Sequence, residues 1–254
     1  MIKIMIQQIV VVGIPSIYSR QYWDIYKYVR YSGISMSSVE ELFDDSKKMG
    51  SIFILAALVS IILAILGIIT GVFLDVNLVW VIMTAIGAMA FAYLLHQFGV
   101  ELRDNSADKV LIPFITNFIG PFIDHSHSLT RVSIFAGLVR LAGIGMIVYG
   151  IFNIIGTIFG GYYLSIGTGV FVILIGFVFL WASREISIGG NHSFMWILLL
   201  ILFILSFLAS LFLLFSGLIW LNIATAAGAL ILLVISGYAI YLVLSSEVKS
   251  QMGA

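Results

Sequence analysis

The sequence predicts an all-α membrane protein: six transmembrane helices arranged as three parallel-repeat hairpins, plus a cytoplasmic or interfacial N-terminal helical segment. Three observations carry that expectation. Apolar residues make up 62% of the chain and charged residues 9%, against roughly 45–50% and about 25% in an ordinary soluble domain. Six apolar stretches are each long enough to cross a bilayer. Every Lys and Arg outside those stretches falls on one side of the topology they imply.

A soluble core could not hide so much apolar surface in 254 residues, because the surface-to-volume ratio leaves too much of it exposed. A bilayer can. Lys plus Arg equals Asp plus Glu at 12 each, so no net charge draws the chain toward nucleic acid or an acidic partner. The absence of Cys excludes disulfides, thiolate metal sites, iron–sulfur clusters and c-type haem attachment within the chain.

Residues 1–49 read as one interfacial and cytoplasmic segment. Met1 to Ile14 is mostly apolar, interrupted by Lys3, Gln7 and Gln8. It carries no small-x-small cleavage site, so we read it as retained. It is shorter than the ~20 residues a spanning helix needs, which favours a half-inserted or interfacial segment over a seventh helix. Tyr18, Tyr22, Ile25, Tyr26 and Val29 recur at helical spacing, with Arg20, Asp24 and Lys27 elsewhere around the wheel. That mixture suits a helix in the headgroup layer, or a docking surface for another subunit. Ser37-x-x-Glu40 and Ser38-x-x-Glu41 are capping-box patterns, predicting a helix that starts there and runs toward Gly50.

Residues 50–248 form the six-helix domain, with hairpins at 51–98, 133–182 and 194–244. The spans fall near 51–73, 78–98, 133–158, 162–182, 194–215 and 218–244. Each approximates the ~20 residues that cross a ~30 Å hydrocarbon core at 1.5 Å per residue. A β-barrel would alternate apolar and polar residues, and runs such as Trp196 to Leu205 do not.

The segment before the first span carries Lys3, Arg20, Lys27, Arg30, Lys47 and Lys48. The second-to-third loop carries Arg103, Lys109 and Arg131, the fourth-to-fifth loop Arg184, and the tail Lys249. The turns around Asp75, Gly160–Tyr163 and Ser216–Gly217 carry none. The positive-inside rule therefore predicts that both termini are cytoplasmic, in a multi-pass protein of the cell membrane. We call that side the basic end and the other the tip end.

The hairpins open alike, at Ser51-Ile-Phe, Ser133-Ile-Phe and Ser193-Phe-Met, and each closes on a Glu: Glu101, Glu185 and Glu247. A fixed period marks duplicated units, although one bilayer thickness would also equalise hairpin lengths. All three units start on the same side, so the repeats are parallel. Many secondary transporters instead use inverted repeats with interrupted helices, and Pro15, Pro113 and Pro121 all lie outside the spans. Glycine concentrates in spans three and four, as Gly137, Gly143, Gly145, Gly150, Gly156, Gly167, Gly169 and Gly176, while span five has none. Small residues let helices approach closely in lipid. The second hairpin is therefore expected to be the packing centre and span five to make the fewest contacts. Gly67/Gly71 and Gly156/Gly160 form Gly-x-x-x-Gly pairs, a pattern this glycine content also produces by chance.

Arg140 is the one charge well inside a span, roughly 10 Å deep if that helix starts near Ser133. Its side chain can snorkel to the basic end, pair with Glu101, Glu185 or Asp124, or bind a substrate. His96, His125, His127 and His192 all fall at the basic boundary. Asp124, His125 and His127 resemble part of a metal site, but two His two residues apart face one way only on an extended strand, and no third ligand is fixed. Val110 to Ile123 is apolar but too short to span and is broken by Pro113, Asn117 and Pro121, so it reads as interfacial or re-entrant. Asn153, Thr157 and Asn222 read as helix-to-helix hydrogen-bonding groups.

The layout of hairpins, basic-side loops and Gly-rich central helices resembles small six-helix integral membrane proteins of archaea whose function is unknown. The resemblance covers residues 50–248 and rests on pattern. It implies the fold and transfers no activity and no site residues. The expectation for function is a non-catalytic accessory subunit of a larger membrane complex, holding no cofactor and partnered by other membrane subunits and lipids. A transporter or channel for a small solute or ion is the alternative, and a membrane enzyme or redox subunit the third reading.

Overall fold

The computed structural model describes residues 36–73, 77–106, 109, 110, 112, 117, 119–125, 129–160, 166–219 and 222–254, with side chains from residue 39 onward. The Met1–Ile14 stretch, the Tyr18–Val29 pattern, Asp75, Pro113 and His127 lie outside them. The described residues up to Asp45 and those from Ser46 onward belong to separate compact units.

In the first unit, helix α1 spans Met36–Asp44, starting one and two residues ahead of Ser37 and Ser38, so both serines lie inside the helix and not at its cap. It does not run on to Gly50. The helix breaks at Asp45, and α2 starts at Ser46. Asp is favoured at the position before a helix, where its carboxylate suits the free N–H groups.

The second unit holds α2 (Ser46–Phe73), α3 (Leu78–Asp104), α4 (Arg131–Gly160), α5 (Ile166–Ile188), α6 (Ser193–Ile219), α7 (Ile223–Val243) and the short α8 (Ser246–Gln251). Helices α2 to α7 are six helices long and apolar enough to cross a membrane. Among the described residues there is no strand.

Successive helices run antiparallel, because the start of one touches the end of the next. A Cβ on Gly50 of α2 would lie 2.6 Å from the Gly99 carbonyl oxygen of α3, and Gly99 returns the contact at 2.8 Å. On α4, Gly143 meets the Gly176 oxygen at 2.9 Å and Gly150 meets the Gly169 oxygen at 2.7 Å. Two glycines seven residues apart on α4 thus face two glycines seven apart on α5. Only residues without a Cβ allow backbones this close. Gly137 of α4 faces the Phe122 carbonyl, Gly145 the Phe91 ring, Gly156 the Trp80 ring, and Gly71 of α2 the Val81 side chain of α3. Gly67 has nothing within 4 Å of where a Cβ would sit, so it marks no seam.

The packing centre differs from the expectation. Helix α4 is the most enclosed, with 56% of its most apolar window buried, but its hairpin partner α5 reaches only 28%, below α3 and α7 at 33% each. Helix α4 is central because α3 and α5 take two of its sides, while α5 stands at an edge. Helix α6, glycine-free over the expected span 194–215, is among the least buried at 17%, but α2, which holds Gly50, Gly67 and Gly71, equals it.

Burial is concentrated at the basic end. Met49, Phe53, Phe98, Leu102, Phe135, Ile186, Tyr238 and Leu242 are fully buried there. Phe53 stacks edge-on against Phe98 at 4.9 Å and Tyr238 at 6.1 Å, tying the first hairpin to α7. Phe203 of α6 meets Phe135 and Phe179 the same way. Such pairs contribute about 0.5–1.5 kcal/mol each beyond area. At the tip end Phe73 and Ile223 are over 80% exposed.

Residues 245–254 fold back over the basic end. Ser245 caps α8 by accepting from the Val248 N–H, and Val248 and Met252 are fully buried. The Arg131 N–H donates to Glu247 Oε2 at 3.2 Å. Gly190 N–H donates to the Gln251 oxygen and His192 N–H to the Met252 oxygen. The Ser193 hydroxyl donates to the Gly253 oxygen.

Candidate functional site

The densest polar arrangement among the described residues sits where α3 ends. Gln97 and Glu101 lie one turn apart on α3, on the same face, and both are completely buried. Gln97 Nε2 donates to Glu101 Oε1 at 2.9 Å and to the Gly120 carbonyl at 3.2 Å. Glu101 Oε2 accepts the backbone N–H groups of Phe122 at 2.7 Å and Ile123 at 2.9 Å. Leaving a buried carboxylate without partners would be very unfavourable. Here three donors from two segments surround it.

The segment that supplies those amides is the end of the apolar stretch read as interfacial. Its described residues 119–125 turn at Gly120, whose φ of 76° favours glycine, and Pro121 follows. Phe122 and Ile123 then enter the core, the latter fully buried.

Arg140 approaches the same segment from α4. Its guanidinium donates to the Pro121 carbonyl and, at 2.7 Å, to the Ile119 carbonyl. An ion pair with Glu101, Glu185 or Asp124 was one of three readings of this side chain, beside snorkelling and substrate binding, and the distances place backbone carbonyls there instead. The segment is threaded between two opposite charges, its carbonyls turned to Arg140 and its amides to Glu101. Each charge is satisfied by the peptide dipoles between them, and the planar fork of Arg suits two carbonyls at once.

His125 continues the cluster outward. Its Nδ1 is 3.1 Å from Asn105 Oδ1, and its Nε2 is 3.7 Å from Glu101 Oε2. Asn105 closes α3 in the left-handed conformation, φ 50°, as Asn does at helix ends. Further out, Asp104 joins Arg103 at 2.9 Å and Lys109 at 3.9 Å. Buried Gln97 Oε1, His125 Nε2, His96 Nδ1 and Asn153 Oδ1 have no hydrogen-bond partner.

Of the metal candidates, Asp124 is exposed, His125 faces Asn105 and Glu101, and His127 lies outside the described residues. Among the described residues no three His, Asp or Glu side chains gather as a metal would need. His192 is 3.4 Å from Glu185, away from this cluster in sequence and in partners. Gln97 and Asn105 escape a sequence reading, although Gln97–Glu101 spacing and a Gly-Pro turn at 120–121 were available signals.

Two clefts open between the spanning helices. One, of about 440 Å³, lies between α2 and α3 toward the tip end and is lined by residues including Leu63, Gly67, Trp80, Val81 and Phe91. The hydroxyls on it are turned back on their own helices, Ser60 to Ala56, Thr70 to Leu66 and Thr84 to Trp80. The other, of about 220 Å³, separates α5 from α6 beneath His192 and Asn191. No family model matches the chain, and no curated protein or solved structure is detectably similar to it.

Proposed function

We propose that this chain is a non-catalytic membrane subunit that packs laterally against other subunits of a larger membrane complex, with both termini on the cytoplasmic side. The observation that carries the reading is α6. It is a helix of 27 residues of which Ile201, Leu205, Leu208, Phe212 and Phe215 are all exposed. Its one buried hydroxyl, Ser210, donates to its own helix at Ser206. Such a surface suits lipid or another apolar helix and offers a polar solute nothing. The polar side chains that cluster at the end of α3 hold a chain segment in place, and the α2–α3 cleft is mostly apolar with its hydroxyls bonded to their own helices, which argues against a solute path.

We further propose that the three hairpins are parallel repeats of one duplicated unit. Their Ser and Glu landmarks support this, although the Glu residues have diverged in use. Glu101 accepts Phe122 and Ile123 amides, Glu185 faces His192, and Glu247 accepts the Arg131 amide.

The test is purification of the full chain from its native membrane in mild detergent. A second polypeptide should co-purify at fixed stoichiometry and be released when Leu205 and Phe212 are replaced by Asn. Flux of a solute or ion into liposomes holding this chain alone would overturn the reading, as would a haem, quinone or metal retained between its helices.

A further inference from the structure

The cluster at the end of α3 contains an acceptor facing an acceptor. His125 Nε2 is buried without a hydrogen-bond partner and lies 3.7 Å from Glu101 Oε2. The other ring nitrogen decides what Nε2 carries. Nδ1 faces Asn105 Oδ1 at 3.1 Å, and an amide oxygen only accepts, so Nδ1 holds the ring hydrogen. A neutral imidazole then directs the Nε2 lone pair at the carboxyl. That carboxyl already accepts from Gln97 Nε2 on one oxygen and from two backbone N–H groups on the other. One added proton removes the conflict, whether it sits on Nε2 or on the carboxyl.

We propose that His125 and Glu101 share one exchangeable proton, and that this proton latches residues 119–125 onto α3. With it in place, an N–H or O–H joins the two side chains. When it leaves to water, a carboxylate and a lone pair face each other where little solvent screens them. Glu101 Oε2 is the same oxygen that holds the Phe122 and Ile123 amides, so the repulsion acts directly on the segment. The titratable and charged groups on the surrounding elements include Lys47 of α2, His96, Glu101, Arg103 and Asp104 of α3, Arg140 of α4, Lys109 in the loop and Asp124 next in sequence to His125. Asp104 is taken by Arg103 and Lys109, and Arg140 by carbonyls. Acid supplies the shared proton and closes the latch, and alkali withdraws it and loosens the segment. The His125 side chain is 19% exposed, which gives the proton a route to water.

The test is amide hydrogen exchange of the full chain in lipid nanodiscs, corrected for the intrinsic pH dependence of exchange. Protection of Phe122 and Ile123 should fall about tenfold or more between about pH 5 and about pH 8, because a buried hydrogen bond gives way to an unpaired carboxylate and lone pair. His125→Gln should remove that step, and His192→Gln should leave it. A wild-type protein whose protection at these amides does not change with pH overturns the proposal, and so does a step that survives in His125→Gln. Should His125→Gln fail to fold, His125→Asn is read in its place.

Discussion

Replacing Gly150 by Ala adds one methyl group where two helix backbones meet. The new Cβ would lie 2.7 Å from the Gly169 carbonyl oxygen and 2.5 Å from Ile173 Cγ1. The Ile173 side chain can rotate away, but the Gly169 oxygen belongs to α5 and moves only with its helix. Restoring ordinary contact, about 3.4 Å, requires α4 and α5 to part by about 0.7 Å at this point. That separation also loosens the Gly143–Gly176 contact two turns away. Overpacking of this kind costs about 1–3 kcal/mol, offset in part by the helix preference of Ala over Gly, about 0.5–1 kcal/mol. We expect a net loss of about 1–2 kcal/mol. Gly67→Ala is the matched control, since nothing lies within 4 Å of its Cβ position. It gains the helix preference without the clash and should be neutral or slightly stabilising. The assay is reversible unfolding of the full chain in mixed micelles, titrating SDS and following Trp fluorescence. If Gly150→Ala is as stable as the wild type, or Gly67→Ala loses as much as Gly150→Ala, the backbone-contact reasoning is wrong.

Glu101→Ala strands the amides of Phe122 and Ile123 and the Gln97 side chain, at about 1–3 kcal/mol for each buried donor left unpaired; the loss should appear in the same unfolding assay and as new proteolysis near residue 120. Arg140→Lys keeps the charge but replaces a planar fork with a single ammonium, so exchange at residues 119–123 should rise less than in Arg140→Gln. Equal effects of the two substitutions would show that charge alone matters at that position. For topology, an impermeant thiol reagent added outside cells should label Asp75→Cys and spare Ser106→Cys; the reverse pattern would invert the orientation.

The number and type of spanning helices were legible because lipid imposes a long apolar run on each one, and nothing else in the chain imitates it. Their ends were less legible. The first span was expected from residue 51 and the second to residue 98, whereas α2 starts at Ser46 and α3 runs to Asp104. Hydropathy marks where a helix leaves lipid, but a helix stops where its backbone is capped, as at Asn105 with φ 50° or Gly189 with φ 77°. The sixth span begins at Ile223 rather than 218 because Asn222 accepts from the Thr225 N–H and sets the start. Within the polar cluster, Arg140 and Glu101 drew notice as charges. Their partners did not, because backbone carbonyls at 119 and 121 and amides at 122 and 123 carry no residue signature. Close backbone contacts had a visible cause in the glycines, but Gly67 and Gly150 look alike until the neighbouring helix is in place.

The hydrogen bond from the Arg131 N–H to Glu247 joins residues 116 apart in sequence. Residues 245–254 leave the ribosome after all six spans have been made, so the bond from the Arg131 amide to Glu247 can form only after that point. The His192 amide has the neighbouring Gly190 carbonyl from the start and gains the Met252 carbonyl only then. Each earlier hairpin can enter the bilayer by itself on its own glycine contacts. Closing the basic end waits on residues downstream of all six long helices, so a chain stalled before Val248 would carry those helices in an unsealed bundle.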